Sequence, residues 1–577
     1  MLKSQIAAAL TVALRKASEA GDFAVESLPT PGVEVPRDPQ HGDYASNIAM
    51  VLAKPARMAP LKIAEAIARH ASLDGPIASV EVAPPGFINL RLSQAWLAEN
   101  LRMILRQQAA YGHSEVGRGE RVLLEYVSAN PTGPLHVGHG RWAAIGSGLA
   151  HVLRAAGFAV DQEFYVNDAG NQMQLLGRSL EARLRQRQGE AVEVPEDGYH
   201  GAYMAEVAAR AESALGLGIL QAPEEERLNA LTDFARDTLL AMQQATLAQM
   251  GTRFDHYFSE RSLHQAGRVD EAIARLKETG HLYQQDGAWW LRSTDFGDDK
   301  DRVVIRENGQ PTYLAADIAY HWDKLQRGYT RLVNIMGADH HGYVARLSAA
   351  VQALGGEART LHVIIGQMVN LFRDGEPVRM SKRSGEMVTL QEVLDEVGAD
   401  AARYFLLMRS TDTTLDFDLA LAVKESADNP VFYVQYAHAR ICSILRMAQQ
   451  AHPGLVLEGD ALSDADLSLL VTPDERQLLL KLALFPDEVA SAALAMEPYR
   501  IARFAQELAA GFHQFYTNCR VLTDDQALMR ARLALIIAAR IVLRNALADL
   551  LGVSAPERME SLAVGAGLPT APLGDER

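Results

Sequence analysis

Apolar residues recur at spacings of three and four through residues 6–16 and 61–70, which predicts two amphipathic helices early in the chain. Ile6, Leu10 and Leu14 form the stripe of the first, and Arg15 and Lys16 follow at once. Over 79–92 the pattern changes to strand, turn, strand, with Pro84, Pro85 and Gly86 as the turn. A polar, Gly-rich stretch, 112–119, then reads as a linker. After it come an apolar strand at 121–127, a Pro/Gly-rich turn at 130–140 and a helix to about Ala156, stopped by Gly157. A second strand follows at 159–166. Strand, tight turn, helix, strand is half of a doubly wound nucleotide-binding fold.

The alternation breaks off over 174–300, a long, charged, mainly helical stretch that reads as an insertion. It resumes with a strand at 330–336, a helix at 343–354 and a strand at 361–369. Helical spacing then dominates, through 432–447, 477–494, 499–515 and 530–551, which is the pattern of a bundle. The expected fold class is α/β: a doubly wound parallel nucleotide-binding (Rossmann-like) domain, with an α+β N-terminal domain and an all-α C-terminal bundle. The expected divisions are 1–112, the split domain 113–173 and 301–375, the insertion 174–300, a connecting segment 376–414 and the bundle 415–577.

Composition narrows the class. With 48% hydrophobic and 22% charged residues, the chain has the make-up of a soluble globular protein. No apolar run reaches the roughly 18 residues of a membrane span, and the run at 533–539 is broken by Arg540. Lys3 and the Ala-rich run behind it resemble an export signal, but the helical spacing and the cations that follow favour an amphipathic helix. Cys442 and Cys519 are the only cysteines, too few for a disulfide framework or a thiolate zinc cluster. That usage suits a reducing compartment, and a cytoplasmic location is expected. The net charge of −16 argues against a general nucleic-acid binder and leaves room for a localised basic surface.

The segment richest in chemistry is EYVSANPTGPLHVGH, from Glu125 to His139. It puts His136 and His139 where a buried strand gives way to a helix. Backbone N–H groups at a helix start attract anions, and two imidazoles there add donors for phosphate oxygens. Gly138 between them lets a flat ring come close to the backbone. Two solvated histidines capping a helix are the plainer alternative. A second segment, RMSKRSG at 379–385, follows the last strand of the split fold and a turn at 374–376. Its Lys382 is a flexible point charge suited to phosphates whose charge builds in a transition state.

Together the two segments resemble the His-Ile-Gly-His and Lys-Met-Ser-Lys-Ser signatures of class I aminoacyl-tRNA synthetases. Arg379 and Arg383 depart from the second signature, and Lys382 keeps its central cation. The run from Glu125, FYVNDAGNQ at 164–172 and MGADHHG at 336–342 are similar to the bacterial-type arginyl-tRNA synthetases specifically, and the likeness extends over nearly the whole chain. It implies ATP and Mg²⁺ as cofactors, L-arginine and tRNA(Arg) as substrates, and activation that requires bound tRNA; a monomer with no membrane partner is the default expectation beside it. Its catalytic residues would be His136, His139 and Lys382, with no metal ligand among the side chains. Gly138, Asp339, Met368 and Val369 would join them around ATP.

A guanidinium calls for carboxylates and planar acceptors. Glu125, Asn130, Tyr313 and Asp317 stand at the family's arginine positions, and Tyr313 and Asp317 share a face if their segment is helical. Asp317 could instead pair with a nearby Arg, and Asp339 could cap the following helix. For tRNA, the family points to Phe87 and Asn89 in the N-terminal domain, with Phe87 stacking on an unpaired base. It points also to Tyr436, Arg440 and Met559 in the C-terminal one. A buried Phe87 and a packing role for Met559 are the alternatives. Two rivals to the whole reading are another nucleotidyl-transferring ligase and a noncatalytic RNA-binding relative.

Overall fold

The computed structural model describes residues 2–36, 38–378 and 388–559. At its centre, among the described residues, is a five-stranded parallel sheet. The strand order is Leu361–Gly366, Arg331–Gly337, Arg121–Glu125, Ala159–Val166, His256–Ser259. Leu123, Leu124, Leu332 and Val333 are fully buried, as central strands covered on both faces must be. From Arg121–Glu125 the chain steps outward to Ala159–Val166 and then to His256–Ser259, which lies within the 174–300 stretch. It then crosses back to place Arg331–Gly337 on the other side of the first strand, with Asn334 level with Glu125. Strand order reverses between these two strands, and in open parallel sheets ligands bind at the carboxyl ends beside such a reversal.

Two predicted strands are corrected. The strand expected at 121–127 stops at Glu125, because Val127 (φ 66) and Ser128 (φ 41) take left-handed backbone. The strand expected at 361–369 ends at Gly366, and a new one, Val369–Arg373, joins a second sheet with Glu376–Pro377 and Leu415–Asp418. The cause is Arg141, whose guanidinium takes the carbonyl oxygens of Gln367 (2.7 Å) and Met368 (3.4 Å) between the two strands.

Helices Asn171–Arg187, Tyr203–Leu215 and Glu224–Gln249 pack around a core of their own that includes Leu176, Leu180, Val207 and Leu231. In the C-terminal bundle, the helix expected over 477–494 is two, Pro473–Ala483 and Phe485–Ala495. Pro486, which has no N–H, occupies the first turn of the second. The helix expected over 530–551 is α-helical in Gln526–Arg544 and π-helical in Asn545–Leu551. The N-terminal block is an antiparallel sheet, Tyr44–Ser46, Phe87–Leu92 and Ile77–Ala83, packed against helices Leu2–Glu19, Ile48–Ala56 and Pro60–His70. It docks on the bundle: the Lys3 N–H donates to Asp487 (2.9 Å) and Arg476 donates to Asp43 (2.7 Å). Among the described residues no helix is long and apolar enough to cross a membrane.

Candidate active site

The carboxyl end of the Arg121–Glu125 strand leads into the start of helix Val137–Ala155, with His136 as its N-cap. His136 Nδ1 accepts the Gly138 N–H (3.1 Å), and His139 Nδ1 accepts the His136 N–H (3.3 Å). The two rings stack with centroids 3.7 Å apart. Burial lowers the His136 pKa, and burial with the neighbouring His136 pushes His139 down to about 3. Both rings are therefore neutral near pH 7, with Nδ1 as acceptor and Nε2–H left as donor. Gly138 is required here, since a Cβ would stand 2.9 Å from His136 Cε1. The second signature, Lys382 included, lies outside the described residues. Its C-terminal flank is fixed beside the first: Leu390 N–H donates to the Leu135 carbonyl (2.7 Å), and His136 bridges Thr389.

At the same strand end Glu125 belongs to a cluster of carboxylates with Asp317 and Glu260. Asp317, on helix Tyr313–Gln326, is half-buried, and its carboxylate accepts from the Tyr343 hydroxyl. Burial pushes its pKa up to about 6; Glu125 and Glu260 add to the rise and the Tyr343 hydrogen bond opposes it. The Tyr165 phenol lies within the same field, held well above its usual range by burial and by Glu260, Asp317 and Glu125. Glu125 meets Lys324 Nζ at 2.5 Å and accepts from Ser128 Oγ at 3.1 Å. The left-handed turn at Val127 and Ser128 is what brings that hydroxyl back to Glu125.

The other candidates are more open. Tyr313 begins the same helix as Asp317 but is 87% exposed. Asn130 is exposed, its carbonyl accepting from Gln243 (2.9 Å). Asp339 follows the Arg331–Gly337 strand, its side chain exposed and 3.4 Å from His340. Met368 is 70% exposed at the crossover between sheets, and Val369 begins the second sheet. Far from this crevice, Phe87 opens its strand exposed, whereas Asn89 is buried between Ala45 and Glu81 in the N-terminal sheet. Arg440 donates to the Tyr436 hydroxyl (2.9 Å) and lies over the Tyr516 ring (4.9 Å). The segment leading to Met559 runs along their helix, Pro430–Ala451, where His438 bonds the Pro556 carbonyl (2.9 Å).

A model described as "tRNA synthetases class I (R), catalytic domain" matches residues 100–442, and one described as "Arginyl tRNA synthetase N terminal domain" matches 2–92. The chain belongs to the arginyl-tRNA synthetase family. A "DALR anticodon binding domain" model covers 434–559. An arginine–tRNA ligase of Moorella thermoacetica is 50% identical over 558 residues, 96% of this chain and 99% of that protein. The ligase of Geobacillus thermodenitrificans is 50% identical over 544 residues, 94% and 96% of the two chains. The solved arginyl-tRNA synthetase of Thermus thermophilus has a TM-score of 0.77 at 26% identity, covering 97% and 100%.

Sequence reasoning missed Glu260, Tyr165, Tyr343 and Lys324. Glu260 directly follows the His256–Ser259 strand, and recognising it required knowing that this strand joins the sheet. Lys324 was readable: it stands seven residues after Asp317, on the same helical face.

Proposed function

We propose that the chain activates L-arginine with ATP to arginyl-adenylate and transfers it to the 3′-terminal ribose of tRNA(Arg), releasing AMP and pyrophosphate. The observation that carries this reading is that the Arg121–Glu125 strand leads on one hand into a helix start bearing two Nε2–H imidazoles and ends on the other in Glu125, whose charge acts with that of Glu260 on Asp317. The arginine guanidinium enters among Glu125, Asp317 and Glu260, with Tyr313 closing over it and Asn130 at the α-amino end. The arginine carboxylate is thereby presented to the α-phosphate of ATP. His136 and His139 donate to phosphate oxygens as negative charge builds, and Lys382 meets the same phosphates. Gly138 gives the phosphates room, and Asp339, Met368 and Val369 border the adenosine. No side chain forms a covalent bond; the contribution is placement and electrostatics.

Among the described residues no group of three or more His, Cys, Asp or Glu side chains could hold a metal ion. The Mg²⁺ expected with ATP would sit on the phosphates, adding positive charge there. For tRNA, Phe87 stacks on an unpaired base with Asn89 beside it, and Tyr436, Arg440 and Met559 form the anticodon-side contact. The test is charging of total tRNA with each of the twenty amino acids, with and without ATP. Attachment of arginine alone, and only with ATP, is expected. Attachment of another amino acid would refute the guanidinium pocket, and tRNA binding without any charging would refute the activity.

A further inference from the structure

A lysine ammonium is buried beside the carboxylates assigned to the guanidinium. Lys324 is 0% exposed, and its Nζ donates to Glu125 Oε2 at 2.5 Å and to Asn334 Oδ1 at 3.3 Å. It also lies 4.2 Å from the centroid of the Tyr320 ring. With Asn334 Oδ1 accepting, its Nδ2 donates to His321 Nε2 at 3.2 Å. His321 then carries its proton on Nδ1 and donates it to the Asp317 carbonyl oxygen at 2.8 Å. Burial holds this imidazole far below its usual pKa, so it is neutral, as the pattern demands. Each donor and acceptor from the Asp317 backbone to the Glu125 carboxylate thus has a single assignment.

The sequence builds this chain from two periodicities. Asp317, His321 and Lys324, at i, i+4 and i+7, share one face of helix Tyr313–Gln326. Asn334 and Glu125 are register partners on adjacent parallel strands. Ser128 Oγ holds the other oxygen of Glu125 at 3.1 Å, so both oxygens are directed from the protein side. An ion pair kept purely for stability has no need of this arrangement, because a buried pair replaced by apolar groups often costs nothing.

We propose that Lys324, acting through Glu125 and linked by Asn334 and His321 to Asp317, is a positioning residue of the arginine site. It sets the spacing between the two acceptors that receive the guanidinium. The inference rests on the reading of Glu125 and Asp317 as arginine ligands, and the experiment separates the two.

Steady-state arginylation is measured for K324M, K324R and H321L beside E125Q and D317N, with arginine, ATP and tRNA each varied. A misplaced acceptor is expected to raise the arginine KM about tenfold or more in K324M and several-fold in H321L. The KM values for ATP and tRNA should stay within about twofold. K324R, which keeps a cation in place, should recover part of the loss. If E125Q and D317N raise the arginine KM while K324M and H321L do not, the positioning role is overturned and the pocket stands. If E125Q and D317N leave it unchanged, the pocket itself is refuted. Parallel rises in all three KM values would reduce Lys324 to a structural ion pair. Should K324M not fold, H321L, which keeps the ammonium, decides the question alone.

Discussion

A backbone N–H only donates, so the two that meet Nδ1 of His136 and Nδ1 of His139 decide the tautomers of both rings. Neutral rings with Nε2–H outward are donors without a pH-dependent charge, and their burial keeps them so. Replacing either ring by Ala should lower arginine-dependent pyrophosphate exchange, measured with tRNA present, by roughly 10²–10³-fold, the usual worth of one preorganised donor. Gly138→Ala tests the same corner more gently: the new Cβ displaces the His136 ring, so exchange should fall while the melting temperature holds. Asp317 titrates differently. Burial raises its pKa to about 6, so below that pH the empty pocket keeps a proton. A guanidinium favours the carboxylate, so arginine binding must expel the proton there. Affinity should therefore fall by up to about tenfold per pH unit below about 6 and level off above it. Calorimetry in buffers of different ionisation heat should detect the released proton in the parent and none in D317N.

At the scale of elements, helix Val137–Ala155 is set against its neighbours by its glycines. A Cβ on Gly146 would lie 2.3 Å from the Tyr126 ring, which is fully buried and has nowhere to go. Gly146→Ala gains about 1 kcal/mol of helix propensity, while overpacking costs about 1–3 kcal/mol or more. Urea unfolding should show net destabilisation. Arg141, on the same helix, donates to the carbonyls of Gln367, Met368, Ser410 and Thr413. It thereby joins the histidine helix to the strands from which the second signature departs. Arg141→Met should cost about 1–3 kcal/mol, since part-buried carbonyls lose a charged donor. It should also lower the rate of adenylate formation more than it weakens arginine binding, measurable by single-turnover kinetics.

Across the whole molecule, Arg403 joins parts distant in sequence. Its guanidinium is 1% exposed and donates to Ser147 Oγ (2.6 Å), the Met250 carbonyl (3.1 Å) and the Leu551 carbonyl (2.5 Å). Two of these are carbonyls at the ends of helices, where partial negative charge gathers. Gly552 is part of the same joint, because a Cβ there would stand 2.7 Å from Arg403 Nε. Arg403→Met should uncouple the C-terminal bundle from the catalytic domain. Scanning calorimetry should show two separated unfolding transitions in the variant and one in the parent.

Periodicity and turn chemistry are local, so the chain carried them openly. The helices at 6–16, 61–70, 432–447 and 499–515, the Ala159–Val166 strand, the helix start at His136 and the doubly wound α/β class were all legible in the pattern of apolar positions. The likeness of EYVSANPTGPLHVGH to one family was legible too, and the family models agree with it. What the pattern could not hold was anything set by a partner distant along the chain. The strand at 361–369 breaks because a guanidinium more than two hundred residues earlier claims its carbonyls. Glu260 reaches the pocket only because His256–Ser259 adds to the sheet edge. Asp317 acquires its pKa of about 6 from burial and from carboxylates on two other strand ends. Sequence alone determined the family and the elements whose bounds need no distant partner, because hydrophobic spacing and motif order are written along one dimension. Tertiary structure alone decided the charge, tautomer and partner of each site residue, because desolvation and hydrogen bonding depend on what folds against it.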